Sequence, residues 1–142
     1  MDEIEMTIKL RGRGVTKGKG EGEAIVSQTT ISFLGSVDPE TGVISEAHHE
    51  LKGKSVAGKI FVFPHGKGST AGSFIMIEMA NNKVAPAAVI NIDAESIIAA
   101  GAKLASIPLV DRLDKNPLEV IKTGDFVKVD ADNGIVEITR KD

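Results

Sequence analysis

Residues 59–80 read Lys-Ile-Phe-Val-Phe-Pro-His-Gly-Lys-Gly-Ser-Thr-Ala-Gly-Ser-Phe-Ile-Met-Ile-Glu-Met-Ala, which predicts a strand, a glycine-rich turn and a helix in succession. The apolar run that ends at Phe63 is typical of a buried strand, and the apolar side chains of the second half recur at helical spacing. A helix that begins at glycines offers unpaired backbone N–H groups and a positive dipole end, which together bind anions. We therefore expect a helix over about 69–80 and an anion-binding or catalytic site at its start.

Strand patterns lie on both sides of this unit. Because strands outnumber helices and do not alternate regularly with them, the order predicts an α/β domain with a mixed sheet or squat barrel, and not a doubly wound nucleotide-binding sheet. We expect one domain over 1–142, with a second main helix over 94–104 that Asp93 caps. The predicted strands cover residues 4–11, 22–27, 29–34, 43–44, 57–63, 87–91, 107–110, 125–130 and 135–140, and the last two are joined by a type I′ turn at Asn133-Gly134.

The composition excludes several classes of protein. A net charge of -3, with no Trp or Tyr, argues against nucleic-acid binding. No apolar stretch has the roughly 20 residues of a membrane helix, and the acidic N-terminus lacks the pattern of a signal peptide, so we expect a cytoplasmic protein. The chain has no cysteine, which excludes disulfides, a cysteine nucleophile and thiolate-held zinc or iron–sulfur clusters on this chain.

Ser69 carries the clearest chemistry of the turn. It has two compatible interpretations: an N-cap whose Oγ accepts a bond from the Gly72 N–H, or a catalytic base. The helix dipole and the neighbouring Lys67 both favour negative charge on the serine oxygen. The spacing does not match a P-loop, and the chain has no nucleophile-elbow serine.

Other polar residues have weaker functional interpretations. His65 is either a general base or phosphoryl carrier, or a polar residue at the end of a strand, and the second is favoured. His48 and His49 are adjacent, so they do not face one metal site on a regular element. Charged residues follow an apolar strand, among them Asp111, Arg112 and Lys115. They could belong to a catalytic loop, but a solvated loop is the favoured interpretation.

Residues 12–22 read Gly-Arg-Gly-Val-Thr-Lys-Gly-Lys-Gly-Glu-Gly and predict a flexible basic loop. A strand follows these glycines where a dinucleotide-binding fingerprint would require a helix. A basic flap that attracts an anionic substrate or an acidic partner stays open, and its cations would be Arg11, Arg13, Lys17 and Lys19.

Five segments in order carry a family resemblance: 33–42, 57–60, 66–73, 85–90 and 107–111. Together they resemble the small subunit of the aconitase X family, over roughly residues 5–140, and most closely its archaeal type. The resemblance implies the swivelling β/β/α domain of the aconitase superfamily. It also implies a large-subunit partner, in a heterodimer or higher assembly, that holds an iron–sulfur cluster.

The implied activity is a hydro-lyase that dehydrates (R)-5-phosphomevalonate, a small anionic phosphorylated hydroxy acid, to trans-anhydromevalonate 5-phosphate in a modified mevalonate pathway. Gly66-Lys-Gly-Ser69 matches the family's Gly-x-Gly-Ser motif, so the resemblance implies Ser69 as the proton acceptor. The arginine that follows in aconitases is absent, since Thr70-Ala71 stand there. We expect substrate binding by Gly66, Lys67, Gly68 and Thr70, with supporting positions for His65 and Ser73.

Three alternatives remain open. Another aconitase X dehydratase, such as one acting on cis-3-hydroxyproline, would use the same motif. A phosphoryl-carrier swivel domain would use His65, although here a hydroxyl residue and not the histidine begins the helix. A pure interaction module would not need Ser69.

Overall fold

The computed structural model describes residues 5–67 and 70–141, and these form one mixed sheet with helices. The two long helices are the predicted ones, and the predicted α/β class with a mixed sheet is confirmed. The strands are β1 Glu5–Arg11, β2 Arg13–Gly14, β3 Lys19–Val26, β4 Ile60–Phe63, β5 Ala88–Asn91, β6 Leu109–Asp111, β7 Phe126–Asp130 and β8 Ile135–Lys141. The helices are α1 Phe33–Ser36, α2 Ala71–Asn81, α3 Ser96–Leu104 and α4 Pro117–Val120.

The sheet has the strand order β1-β8-β7-β3-β4-β5-β6-β2. Strands β3, β4, β5 and β6 are parallel, β7, β8 and β1 continue as an antiparallel meander, and β2 closes the other edge antiparallel to β6. The long strand β3 joins the halves, because its first five residues pair with β7 and its last three with β4. The carboxyl ends of β4, β5 and β6 therefore meet at one edge, which we call the carboxyl edge.

The parallel strands are buried on both faces, which explains their continuous apolar runs. On one face Phe61, Phe63 and Val89 pack with residues of α2 and α3. The opposite face, with Ile60 and Val62, packs against side chains of the antiparallel strands. Within the described residues, no helix is long and apolar enough to cross a bilayer.

Two predicted strands are wrong. The segment 29–34 forms a single bridge at Ile31 and then the one-turn helix α1, because the positive φ of Gly35 bends the chain there. Residues 43–44 make only isolated bridges, to Ser55 and Val37. Both segments lie outside the main sheet, so their β-branched residues serve packing, and not sheet pairing.

The predicted loop over 12–22 is also wrong as secondary structure, since it contains β2 and the first four residues of β3. Its glycines permit close contact between backbones. A Cβ on Gly14 would overlap the carbonyl oxygen of Ala131, and one on Gly20 that of Ala87. The high glycine content of residues 12–22 is therefore explained by close packing of backbone against backbone.

The C-terminal hairpin is confirmed, but its turn type is wrong. The loop has four residues, Ala131 to Gly134, and Gly134 is its one residue with positive φ, whereas a type I′ turn needs two. Asp130 stabilises the loop by accepting bonds from the backbone N–H and the side-chain amide of Asn133, at 3.2 and 2.9 Å.

Candidate active site

The glycine-rich turn leaves β4 at the carboxyl edge and is held there by Ile31. The Ile31 N–H donates to His65 O at 3.3 Å, and the Lys67 N–H donates to Ile31 O at 2.9 Å. This places Gly66 in a parallel bridge with Ile31. The first residues of the turn thus extend the sheet by one short pairing before α2 begins.

Gly66 is buried against the first turn of α3. A Cβ at this position would overlap Ile98 and lie 2.8 Å from Glu95 Oε1. Glu95, and not the predicted Asp93, caps α3 by accepting from the Ile97 and Ile98 N–H groups at 3.0 and 2.6 Å. The absence of a side chain at Gly66 therefore sets how closely the turn approaches α3.

Most of the predicted site residues flank Gly68 and Ser69 in the chain. Gly68 and Ser69 are outside the described residues, so both interpretations of Ser69 stay predictions. Helix α2 begins at Ala71, two residues later than expected, and Thr70 precedes it without a side-chain cap bond. The Ser73 Oγ donates to Thr70 O at 2.8 Å.

His65 and Lys67 are both exposed at the carboxyl edge. The ring Nδ1 of His65 lies 3.0 Å from Gly66 O. Because a carbonyl oxygen only accepts hydrogen bonds, Nδ1 is the donor in this contact. The structure thus brings His65, Gly66, Lys67, Thr70 and Ser73 to one edge, while their roles toward a substrate stay predictions.

Asn91 is a polar residue of this edge that the sequence did not single out. Its side chain is completely buried, and its Nδ2 donates to Phe63 O at 3.0 Å. Its Oδ1 is buried without a hydrogen-bond partner among the described residues. The signal was an amide at the end of the otherwise apolar run 87–91.

Asp111 was interpreted as part of a solvated loop, and that is wrong, because it is completely buried. Both of its oxygens pair with Arg13, Oδ1 with Nε at 2.9 Å and Oδ2 with an Nη at 2.8 Å. The Ala94 N–H also donates to Asp111 Oδ2 at 2.8 Å. The hydrogen bond with Asp111 raises the pKa of Arg13, against a smaller lowering by burial. Arg13 is thus fixed at the carboxyl edge.

Arg112 follows β6 at the same edge. Its N–H donates to Ile92 O at 3.0 Å, and the Ile92 N–H donates to Pro64 O at 2.9 Å, which continues the parallel ladder one residue past each strand. Its Nε lies 3.0 Å from Asp93 Oδ1, and both side chains are about 60% exposed. Two arginine–aspartate pairs therefore lie at the same carboxyl edge as the glycine-rich turn.

The described residues contain no group of three His, Asp or Glu side chains placed to hold a metal ion. The sequence has no cysteine. The donor set of this chain therefore does not fit an iron–sulfur cluster, because such clusters are held by thiolates.

Comparison with known proteins gives one consistent family. The model of the aconitase X swivel domain matches residues 9–138. The phosphomevalonate dehydratase small subunit of Methanosarcina mazei is 51% identical over 134 residues, covering 94% of this chain and 93% of the relative. The small subunit of the same name from Thermococcus kodakarensis is 52% identical over 131 residues, covering 92% of this chain and 96% of the relative.

A solved structure agrees with the sequence comparisons. The crystal structure of Thermococcus kodakaraensis aconitase X in its holo-form superposes with a TM-score of 0.88 at 51% identity, over 92% of this chain and 98% of that one. The predicted family and swivel-domain fold are confirmed. The chain belongs to the aconitase X swivel-domain family.

Proposed function

We propose that this chain is a single swivelling domain that works as the small subunit of a phosphomevalonate dehydratase. With a large subunit it removes water from (R)-5-phosphomevalonate and forms trans-anhydromevalonate 5-phosphate. The proposal depends mainly on one observation: phosphomevalonate dehydratase small subunits are 51% and 52% identical to this chain over 94% and 92% of its length. The position of the Gly-x-Gly-Ser motif, at the carboxyl end of a parallel strand, supports it, since ligands bind there in such sheets.

The elimination requires a base for the proton next to the substrate carboxylate. Ser69 takes that proton. The serine is two residues before α2, whose N-terminal dipole favours negative charge on its oxygen. Lys67, which is exposed and comes two residues before the serine in the chain, adds a positive charge.

The same turn binds the substrate. Backbone N–H groups at the start of a helix bind carboxylates without needing a side chain. That replaces the arginine missing after the motif. Gly66, Gly68 and Thr70 supply these backbone contacts. Lys67 contributes its ammonium group, because its own N–H donates to Ile31 O. His65 and Ser73 support the geometry of the turn.

The departure of the hydroxyl needs acid or Lewis-acid assistance. We assign it to an iron–sulfur cluster held by cysteines of the large subunit. The small chain alone is then inactive, and the active site exists only in the complex.

The test is dehydration by the purified small chain, the large subunit and the reconstituted pair. Phosphorus NMR follows formation of the unsaturated phosphate ester. We expect turnover of phosphomevalonate by the pair only. Turnover of cis-3-hydroxyproline in its place would assign another aconitase X activity, and transfer of phosphate from phosphoenolpyruvate to His65 would support a phosphoryl carrier.

A further inference from the structure

We propose that Arg112 binds the phosphate group of the substrate at the carboxyl edge, with Asp93 fixing its guanidinium. This assignment rests on the proposed function, whose substrate has a carboxylate at one end and a phosphate at the other. The proton removed is next to the carboxylate, so that end lies at Ser69. The phosphate end must extend away from the glycine-rich turn and needs its own partner.

Arg112 lies two strands away from β4, the strand that leads into the turn. The backbone ladder joins Pro64, Ile92 and Arg112 in one row. Two strand spacings of about 4.8 Å separate Pro64 from Arg112 laterally. That separation is comparable to an extended five-carbon chain with a phosphate. A substrate anchored at the turn therefore reaches Arg112 across the end of β5.

The backbone of Arg112 has an unusual conformation. Its φ is 52°, in the left-handed region that residues with a Cβ rarely adopt. His48, Lys83 and Ser106 also have positive φ. Lys83 and Ser106 each lie just past the end of a long helix, where that conformation is common, and His48 lies in a turn. Arg112 follows a strand, so helix termination does not explain its conformation. Strain of this kind concentrates at binding sites.

Asp93 orients the Arg112 side chain without using all of its hydrogen-bond donors. One edge of the guanidinium, at Nε, pairs with Asp93. Its two Nη groups have no hydrogen-bond partner within residues 5–67 and 70–141, and the side chain is 60% exposed. A guanidinium held by one nitrogen and open at the other two can bind a phosphate through both.

A second arginine, Arg13, lies on the neighbouring strand β2, where it pairs with the buried Asp111. The pKa of Arg13 is raised mainly by the hydrogen bond with Asp111 and only weakly by the charge of Asp93. Arg13 is nevertheless a poor probe, because its substitution would leave the buried Asp111 without a counter-charge. Arg112 pairs only with an exposed carboxylate among the described residues, so its substitution spares the fold.

The experiment measures steady-state kinetics of the reconstituted complex at saturating small subunit. For Arg112→Gln we expect the KM for phosphomevalonate to rise about 10- to 100-fold, the range for a lost charged hydrogen bond, with kcat within about threefold. Arg112→Lys should restore part of the loss, because lysine keeps the positive charge but cannot donate two parallel hydrogen bonds to the phosphate. Lys83→Gln removes the same charge beyond the far end of α2 and should change neither constant.

Titration of each complex with inorganic phosphate provides an independent reading. The dissociation constant of phosphate should rise by a similar factor in Arg112→Gln and stay unchanged in Lys83→Gln. An unaltered KM in an active Arg112→Gln complex, a loss confined to kcat, or weaker association of the subunits would overturn the assignment. If the wild-type complex did not dehydrate phosphomevalonate, the proposed function would fail, and equal phosphate affinity of wild type and Arg112→Gln would separately overturn Arg112.

Discussion

The chain has two glycine-rich basic segments, residues 12–22 and residues 66–72, and they serve different purposes. In the first, glycines let backbones touch, with Gly14 against the Ala131 carbonyl and Gly20 against that of Ala87. In the second, the chain leaves a buried parallel strand and starts a helix at the carboxyl edge. Composition does not distinguish glycines that allow backbone packing from glycines that precede a helix at a candidate site. The next element along the chain separates them, since the first segment leads into a strand and the second into a helix.

Substitution in the first segment should affect stability most. Gly14→Ala places a Cβ on the Ala131 carbonyl oxygen, which is backbone and cannot rotate away. We expect a loss of about 3 kcal/mol in the free energy of unfolding, at the upper end for overpacking. Urea denaturation of the isolated chain measures it. Protein that does fold and assemble should keep normal kcat, and a specific loss of kcat would contradict this contrast between the two segments.

Gly66→Ala should show the opposite pattern. The new Cβ must displace Ile98 or the Glu95 side chain, which shifts the turn against α3. We expect a fall in kcat of about 100-fold, as a displacement of about 1 Å can cause, and a stability loss of about 1–2 kcal/mol.

The matched control is Gly72→Ala, six residues further along in the first turn of α2. Its Cβ would meet Ile97 and Phe33 at 3.7 and 3.9 Å, which is ordinary contact, and its φ is not positive. Alanine is the better helix former, so the free energy of unfolding should stay equal or rise by about 0.5–1 kcal/mol. A Gly66→Ala complex as active as wild type would show that the contact of the second segment with α3 does not matter for activity.

The smallest effect concerns the segment that leads to Ile31. Glu50 Oε1 accepts bonds from the Ser27 and Thr29 hydroxyls and from the Gln28 and Thr29 N–H groups, at 2.7–3.0 Å. Burial alone would raise the pKa of Glu50, but these hydrogen bonds outweigh it and lower the pKa below 4.5. A lowered pKa stabilises the fold above the unfolded-state value, and this contribution disappears as pH falls through the folded-state value.

Because Glu50 is exposed, solvent weakens these interactions, and Glu50→Gln should destabilise the chain by only about 0.5 kcal/mol at pH 7 and by less at pH 3. Thermal unfolding from pH 7 to pH 3 measures this difference. A constant difference between wild type and variant over that range would show that the Glu50 charge does not stabilise the 27–29 segment.

The sequence predicted the periodic parts of the fold well. The buried strand up to Phe63, the two main helices and the final hairpin have strong apolar patterns, and all are present. The strands predicted over 29–34 and 43–44 are wrong, because β-branched residues also pack well in irregular segments.

The candidate site was predicted in part. A glycine-rich turn before a helix is visible in sequence, and so is the motif around Ser69. The pair of Arg13 and Asp111 is not, because their positions are far apart in the chain and meet only through the pairing of β2 with β6. The conformation of Arg112 was equally invisible, since no local pattern requires an arginine with positive φ.

The most direct measurement of the central claim is the rate of phosphomevalonate dehydration by the reconstituted complex with Ser69→Ala. Ser45→Ala, which changes an exposed serine outside the glycine-rich turn, is the control. Circular dichroism and association with the large subunit check that each variant folds and assembles. We predict a fall of at least about 1,000-fold in kcat for Ser69→Ala, within the range for removal of a general base, and wild-type rates for Ser45→Ala. Substantial turnover by a fully assembled Ser69→Ala complex would contradict the role of Ser69 as the base.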